Sequence, residues 1–416
     1  MTSAPLTVST PSPGPVPGAR PRGIPPLPLL TTLNFFNYLD RQVVYGMTPF
    51  IGDAFHLSNF KLGLLAWVNL FVFAFASLAS GPIADRIGPR KVIFTGIVVW
   101  SIATIGSALS TSFPMLLFFR ALVGVGEGAY GPSANALLCA DAPAEKRGRA
   151  LGIYNVGMAL GGTGGLVLGT ILAPRLGWRG VFWIAGGPSM LLALASAFVA
   201  APARLERPKS LPARAFLLSP TYLWGLFGGI MATFGASALI FWIRQLVIEE
   251  RHVSVMGGSL FMLGVGLVCG AGGVIVGGYV GDALNRRARG GHALTIGVSM
   301  LIGAPIGAIA LMVTGKPLFL GLTAAAAFVF SVYNGPSAAV VDELGPRQYA
   351  ATLQAVFMFG LHAFGNSLAP MTIGFIFDRT HSVALALQGA IVAFALSGVA
   401  FVVVAGRQRR APAFNP

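Results

Sequence analysis

From residue 27 to residue 404 the chain repeats one pattern, about twenty apolar positions followed by a short polar punctuation. A helix of about twenty apolar residues matches the ~30 Å hydrocarbon core of a bilayer, so the pattern predicts membrane-spanning helices. Strands of a membrane barrel would be half as long and would alternate in polarity. Twelve spans are expected, at 27–50, 61–83, 92–110, 114–138, 150–173, 180–200, 220–243, 255–280, 292–313, 318–341, 350–376 and 383–404. The fold class is therefore an all-α membrane protein, and an even number of spans places both termini on one side.

Composition agrees and charge adds the orientation. The chain is 55% apolar and 10% charged, against about 25% charged in soluble domains. The net charge of +15 could suggest nucleic acid, which requires basic residues gathered on one solvated face. Here they fall in alternate loops. Of the 28 lysines and arginines, nineteen lie on the side of the termini, seven lie opposite, and Arg41 and Arg120 lie within spans. This asymmetry predicts cytoplasmic termini and, for a bacterial-type cell, an inner-membrane location. Residues 1–26 hold eight prolines and no acid, which reads as a disordered cytoplasmic tail, and 405–416 reads as a second tail. Cys139 and Cys269, the two cysteines, are far apart and suggest neither a disulfide framework nor a metal cluster.

The chain also repeats itself. GPIADRIGPRK from Gly81 corresponds to GYVGDALNRR from Gly278, with Asp85 and Asp282 separated by 197 positions, as are Arg90 and Arg287. The string GPSA occurs at Gly131–Ala134 and again at Gly335–Ala338. Two six-helix bundles, 27–200 and 220–404, joined by a basic, proline-bearing linker at 201–219, are the expected organisation. In span five Gly157, Gly161, Gly165 and Gly169 recur every fourth residue and form one helix face on which another backbone can lie closely.

The candidate chemistry lies in the first span, where NFFNYLDRQVVY from Asn34 sets Asp40 and Arg41 in mid-run. A charge at that depth costs at least about 2.5–3.5 kcal/mol and is normally kept for a pathway and given a partner. Span four offers Arg120 and Glu127, seven residues apart and thus on one face, about 10 Å apart along the axis. The first-span pair falls between them in depth, so Asp40 can meet Arg120 and Arg41 can meet Glu127. A fixed clasp joining the two helices is the plainer reading. A dynamic one makes Asp40 and Glu127 proton carriers, because desolvation and a nearby arginine pull a carboxylate's protonation in opposite directions. Arg41 and Arg120 then tune them or hold an anionic group.

Other polar positions are weaker candidates. Asn37, Tyr45, Tyr130, Tyr333, Asn334, His362 and Asn366 line a substrate cavity if they face inward and are packing if they do not. Asp85, Arg86, Arg90, Asp282 and Arg287, at cytoplasmic span ends, suit a gate in which acids meet helix N-termini and basic side chains. Trp178, Trp183 and Trp242 read as interfacial anchors.

Taken together, NYLDR at Asn37–Arg41, ADRIGPRK at Ala84–Lys91, RALVGVGEGAYGP at Arg120–Pro132, GWR at Gly177–Arg179 and HAFGNSLAP at His362–Pro370 resemble a major facilitator superfamily transporter of the Spinster type. The charge spacings alone are also similar to those of organic-anion/cation symporters. The resemblance implies the major facilitator fold, with twelve transmembrane helices in two pseudo-symmetric halves. It also implies proton-coupled, alternating-access movement of lysophospholipids or sphingoid lipids, with Asp40, Arg41, Arg120 and Glu127 at the charged positions. Pro89 stands where a basic residue is usual in the superfamily, and Asn366 where an aspartate is expected. The expected partners are a lipid or organic solute, protons and membrane lipids, with no nucleic acid, no cofactor and no metal, and the expected state is a monomer. No convergent catalytic set points to an enzyme. A small organic anion or drug as cargo, and a non-transporting membrane sensor, are the alternatives.

Overall fold

The computed structural model describes residues 24–142, 146–200, 214–345 and 349–410; most of the N-terminal tail, the linker as far as residue 213 and the last six residues lie outside this set. The helices before the linker are α1 (Pro26–Phe55), α2 (Asn59–Ile87), α3 (Pro89–Ala108), α4 (Phe113–Asp141) and α5 (Arg147–Ser196). After it come a short α6 (Arg214–Leu217), then α7 (Pro220–Arg244), α8 (Val255–Gly264), α9 (Gly270–Arg287), α10 (Gly291–Met312), α11 (Lys316–Ser331), α12 (Ser337–Asp342), α13 (Ala350–Gly360), α14 (Leu368–Thr380) and α15 (Val383–Arg410). Each stretch expected to span is helical over most of its length. Nine helical segments among the described residues are long and apolar enough to cross a membrane.

Helix boundaries follow local chemistry. Pro26, Pro89, Pro220 and Pro317 stand in first turns, where the missing N–H costs nothing. Ser58, Ser112 and Ser219 cap α2, α4 and α7 through their hydroxyls. At 50 residues α5 would be about 75 Å long if straight, more than twice the hydrocarbon thickness. It is broken at Gly177, whose φ of 67° is open to glycine at little cost. Spans five and six are therefore two rods meeting at the GWR turn.

Glycine sets the packing that positions the charges. Gly157, Gly161, Gly165 and Gly169 of α5 press on the carbonyl oxygens of Thr31, Phe35, Leu39 and Val43 of α1, and a side-chain carbon at any of the four would overlap them. That contact fixes the rotation of α1. At 100° per residue, Asp40 and Arg41 are turned away from α5, toward α3 and α4 and toward α2 and α4. Around Glu127, Gly124 and Gly128 seat α4 on the carbonyls of Asn69 and Phe73 in α2, while Gly126 crosses Gly96 of α3. The GVGEGAYG run thus seals Glu127 between two neighbouring backbones.

The two sets of helices meet at the end opposite Pro26 and Arg410. There the Asp378 carboxylate of α14 accepts from the backbone N–H groups of Asn59 and Phe60 at 2.8 and 2.9 Å and from Asn59 Nδ2 at 2.8 Å, capping the start of α2. Gln245 Nε2 donates to Thr48 Oγ1 at 2.7 Å, and the Tyr45 and Phe241 rings lie 4.8 Å apart. At the other end Ile24 pairs with the segment after α5, its N–H donating to Phe198 O at 2.9 Å.

Two of the three tryptophans read as anchors are core residues. Trp178 packs between Phe55 and Phe182, and Trp242 is buried with its indole N–H on Pro370 O at 3.2 Å. Trp183 is exposed, as expected.

Candidate functional site

The four span charges form one buried cluster in which the cross pairing is realised. Arg41 donates through Nε and Nη2 to one oxygen of Glu127, Oε2, at 3.1 and 2.9 Å. Arg120 Nη1 faces Asp40 Oδ2 at 3.6 Å, an ion pair without a hydrogen bond. The same Oδ2 accepts a hydrogen bond from Thr104 Oγ1 at 2.8 Å. Asp40 and Glu127 are 0% and 1% exposed and the two arginines 5% and 2%, so all four charges are cut off from bulk water.

Such a cluster holds only as a set. Four charges balance two against two, and removing any one strands its partner in a low-dielectric interior. Aromatic faces carry part of the cationic load: Arg41 lies over Phe73 and Tyr38, at 4.4 and 5.0 Å, and Arg120 over Phe182 at 5.9 Å. Asn69 Nδ2 donates to the Arg120 carbonyl at 3.3 Å and ties α2 to α4. Hydrogen bonding is unevenly spread. Asp40 Oδ1, Glu127 Oε1 and Arg120 Nε and Nη1 are buried without a hydrogen-bond partner among the described residues, so the Asp40–Arg120 side is the looser of the two.

The weaker candidates divide. Asn37 is buried next to the cluster, its Nδ2 unpartnered among the described residues. Tyr45 sits at the seam against Phe241. Tyr130 packs on Trp100 and donates to Leu30 O at 2.8 Å, an interior packing role. Tyr333 packs on Phe401 with its hydroxyl unpartnered among the described residues, and Asn334 is exposed on a 3-10 turn, Val332–Asn334, between α11 and α12. His362 and Asn366 bracket a π turn, Leu361–Asn366, joining α13 to α14. Asn366 Nδ2 donates to His362 Nδ1 at 2.9 Å, and His362 meets the edge of Phe73, the ring beneath Arg41.

At the end where α1 starts and α15 finishes, Asp282 does not meet Arg287, which is exposed. Its partner is His292, whose Nε2 lies 3.0 Å from Asp282 Oδ1 and whose Nδ1 lies 2.7 Å from Glu343 Oε1. Asn285 Nδ2 also donates to Glu343 Oε1, at 2.8 Å. His292 is the second residue of α10, as Arg90 is of α3. A longer turn before α10 thus shifts the equivalence that equal spacing suggested. Arg86 and Arg90 are exposed, and the Asp85 side chain lies outside the described residues. His292, Glu343, Asp378, Thr104 and Asn69 were not singled out from sequence; as isolated polar residues they carry no spacing signal.

Long apolar helices in two sets, with a charge-balanced cluster sealed within one of them, define an integral, multi-pass membrane transporter. The chain belongs to the Major Facilitator Superfamily, whose family model matches residues 30–370. It is 27% identical to the hexuronate transporter of Bacillus subtilis over 94% of this chain and 98% of that protein. It is also 27% identical to protein spinster homolog 1 of Xenopus laevis, over 91% of this chain and 78% of that one, and 24% identical to a probable sphingolipid transporter, spinster homolog 2 of Arabidopsis thaliana, over 80% and 72%. Its fold matches the crystal structure of a bacterial homologue of the human lysosomal transporter Spinster in an inward-facing, occupied conformation, with a TM-score of 0.78 and 24% identity over 94% of this chain and 98% of that one. The Spinster-type likeness read from the NYLDR, GEGAYGP and HAFGNSLAP strings is borne out.

Proposed function

We propose that this transporter couples proton movement to the passage of an amphipathic lipid, such as a lysophospholipid or sphingoid lipid, by alternating access. The observation that carries this reading is the buried quartet, in which two carboxylates and two arginines from α1 and α4 pair with one another out of reach of bulk solvent. Asp40 and Glu127 carry the proton, and Arg41 and Arg120 are their counter-charges. Protonation of either acid loosens its arginine, and the freed cation favours a different packing of the helices. Two bundles, 27–200 and 220–404, rock about the seam. The far end, closed by Asp378 and Gln245, opens when the end near the termini closes. At that second end Asp85, Arg86, Arg90, Asp282 and Arg287, together with His292 and Glu343, form the gate. Both termini face the cytoplasm of an inner membrane, and the working unit is a monomer. A lipid cargo is supported by the Spinster-named relatives, one of which is named as a probable sphingolipid transporter.

A second reading keeps the fold and moves a small organic anion. It is supported by the hexuronate transporter, whose length is matched almost completely, and by the two buried arginines as counter-charges. Purified protein in liposomes with an imposed pH gradient separates the readings. Gradient-driven lysophosphatidylcholine movement that glucuronate does not compete with is expected; glucuronate flux without lipid flux overturns the lipid reading, and no flux of either solute favours a sensor.

A further inference from the structure

Hydroxyls in this chain's helices have a habit. Thr31, Thr95, Thr170, Thr233, Thr295 and Thr372 each donate to the carbonyl four residues back, the usual local arrangement for threonine in a helix. Thr104 of α3, fully buried, does otherwise. Its Oγ1 turns across to α1 and donates to Asp40 Oδ2 at 2.8 Å. The rotamer is wedged, because Gly186 of α5 lies so close that a Cβ there would stand 3.0 Å from the Thr104 methyl. A β-branched side chain has few χ1 options, so with its methyl held against α5 its hydroxyl is aimed at Asp40.

We propose that Thr104 is a positioning residue for Asp40, holding the carboxylate against α3 through its hydroxyl and so setting the pH at which Asp40 takes up its proton. This rests on the proton-coupling reading above. Oδ2 takes its only hydrogen bond among the described residues from Thr104, while Arg120 stands 3.6 Å away with Nε and Nη1 unpartnered. The charged groups that face Asp40 are Arg120 and Glu127 from α4 and Arg41 from its own helix; α5 presents glycine to this part of α1. Thr104 is thus the neutral donor in a charged setting. A hydroxyl donating to a carboxylate favours the ionised form, so its removal makes proton uptake possible at higher pH.

The test is infrared difference spectroscopy of the full chain in phosphatidylcholine nanodiscs, following the protonated-carboxyl band as pH is stepped. Asp40→Asn identifies the Asp40 component, so no cargo is needed. Thr104→Val is expected to move that component's midpoint upward by about one pH unit or more, while Thr104→Ser, which keeps the donor, stays at the wild-type midpoint. Gly186→Ala, which pushes the Thr104 methyl without touching its hydroxyl, is expected to shift the midpoint the same way by less. An Asp40 component that titrates at the same pH in Thr104→Val as in wild type overturns the assignment while leaving proton coupling intact. If the wild-type spectrum shows no Asp40 component at any pH, the coupling reading fails and this inference with it.

Discussion

The helices before the linker and those after it share a tetrapeptide and differ in what they do with it. In α4, Gly131 of GPSA lies in an unbroken helix with open space about its Cα. In the second copy Gly335 presses on the backbone of Gly278 and Val274, and the helix breaks between α11 and α12. The contrast extends across the molecule. The first set buries four charges at mid-depth and keeps its helices regular apart from the Gly177 turn, whereas the second places its ionisable arginines, lysines and acids at span ends. It also carries π turns at Gln245–Glu250, Val265–Cys269 and Leu361–Asn366. Buried charges demand fixed geometry, which glycine-mediated backbone contact supplies. Irregular turns are where helices adjust and where functional sites often lie. On the proposed mechanism the first set holds the proton chemistry and the second accommodates the cargo.

The sharpest way to break this contrast is to unbalance the quartet. Arg41→Met leaves Glu127 buried and unpaired and is expected to cost about 3–5 kcal/mol in thermal unfolding, while Arg41→Met with Glu127→Met recovers most of the loss. Gly161→Ala places a carbon on the Phe35 carbonyl and is expected to cost about 1–3 kcal/mol, whereas Gly131→Ala, in open space, should be tolerated.

The seam between the sets gives a smaller effect with a different readout. Asp378→Asn removes the charged cap from α2, and spin labels at positions 56 and 381 should report a larger population of longer far-side distances; an unchanged distribution would show that the cap is not part of the latch. The smallest effects fall at the end where α1 starts and α15 finishes. Arg287→Ala, an exposed change, should alter stability by less than about 0.5 kcal/mol. His292→Ala leaves Asp282 and Glu343 without their shared partner and should cost measurably more.

Much of this arrangement is legible in the sequence where a physical cost is large and periodic. Apolar runs gave the helices, the four-residue glycine spacing gave the face of α5 that meets α1, and charge balance with matched depth gave the pairing of Asp40 with Arg120 and Arg41 with Glu127. What escapes reading depends on tertiary placement. A threonine in an apolar span is ordinary until its hydroxyl is seen to turn from its own helix. Equal spacing paired Arg287 with Arg90, but the loop before α10 is longer and delivers His292 instead. Trp178 and Trp242 sit near span ends in sequence yet are covered by neighbouring helices, because a tryptophan's depth along a span does not reveal which side of the helix it occupies.

If the quartet carries protons, proton movement itself is its most direct readout. Liposomes loaded with a pH-sensitive dye and bearing the purified protein should acidify or alkalinise when lysophosphatidylcholine is presented. Folded Asp40→Asn and Glu127→Gln proteins should leave the internal pH unchanged. Full lysolipid-dependent proton movement in both folded variants would contradict the account.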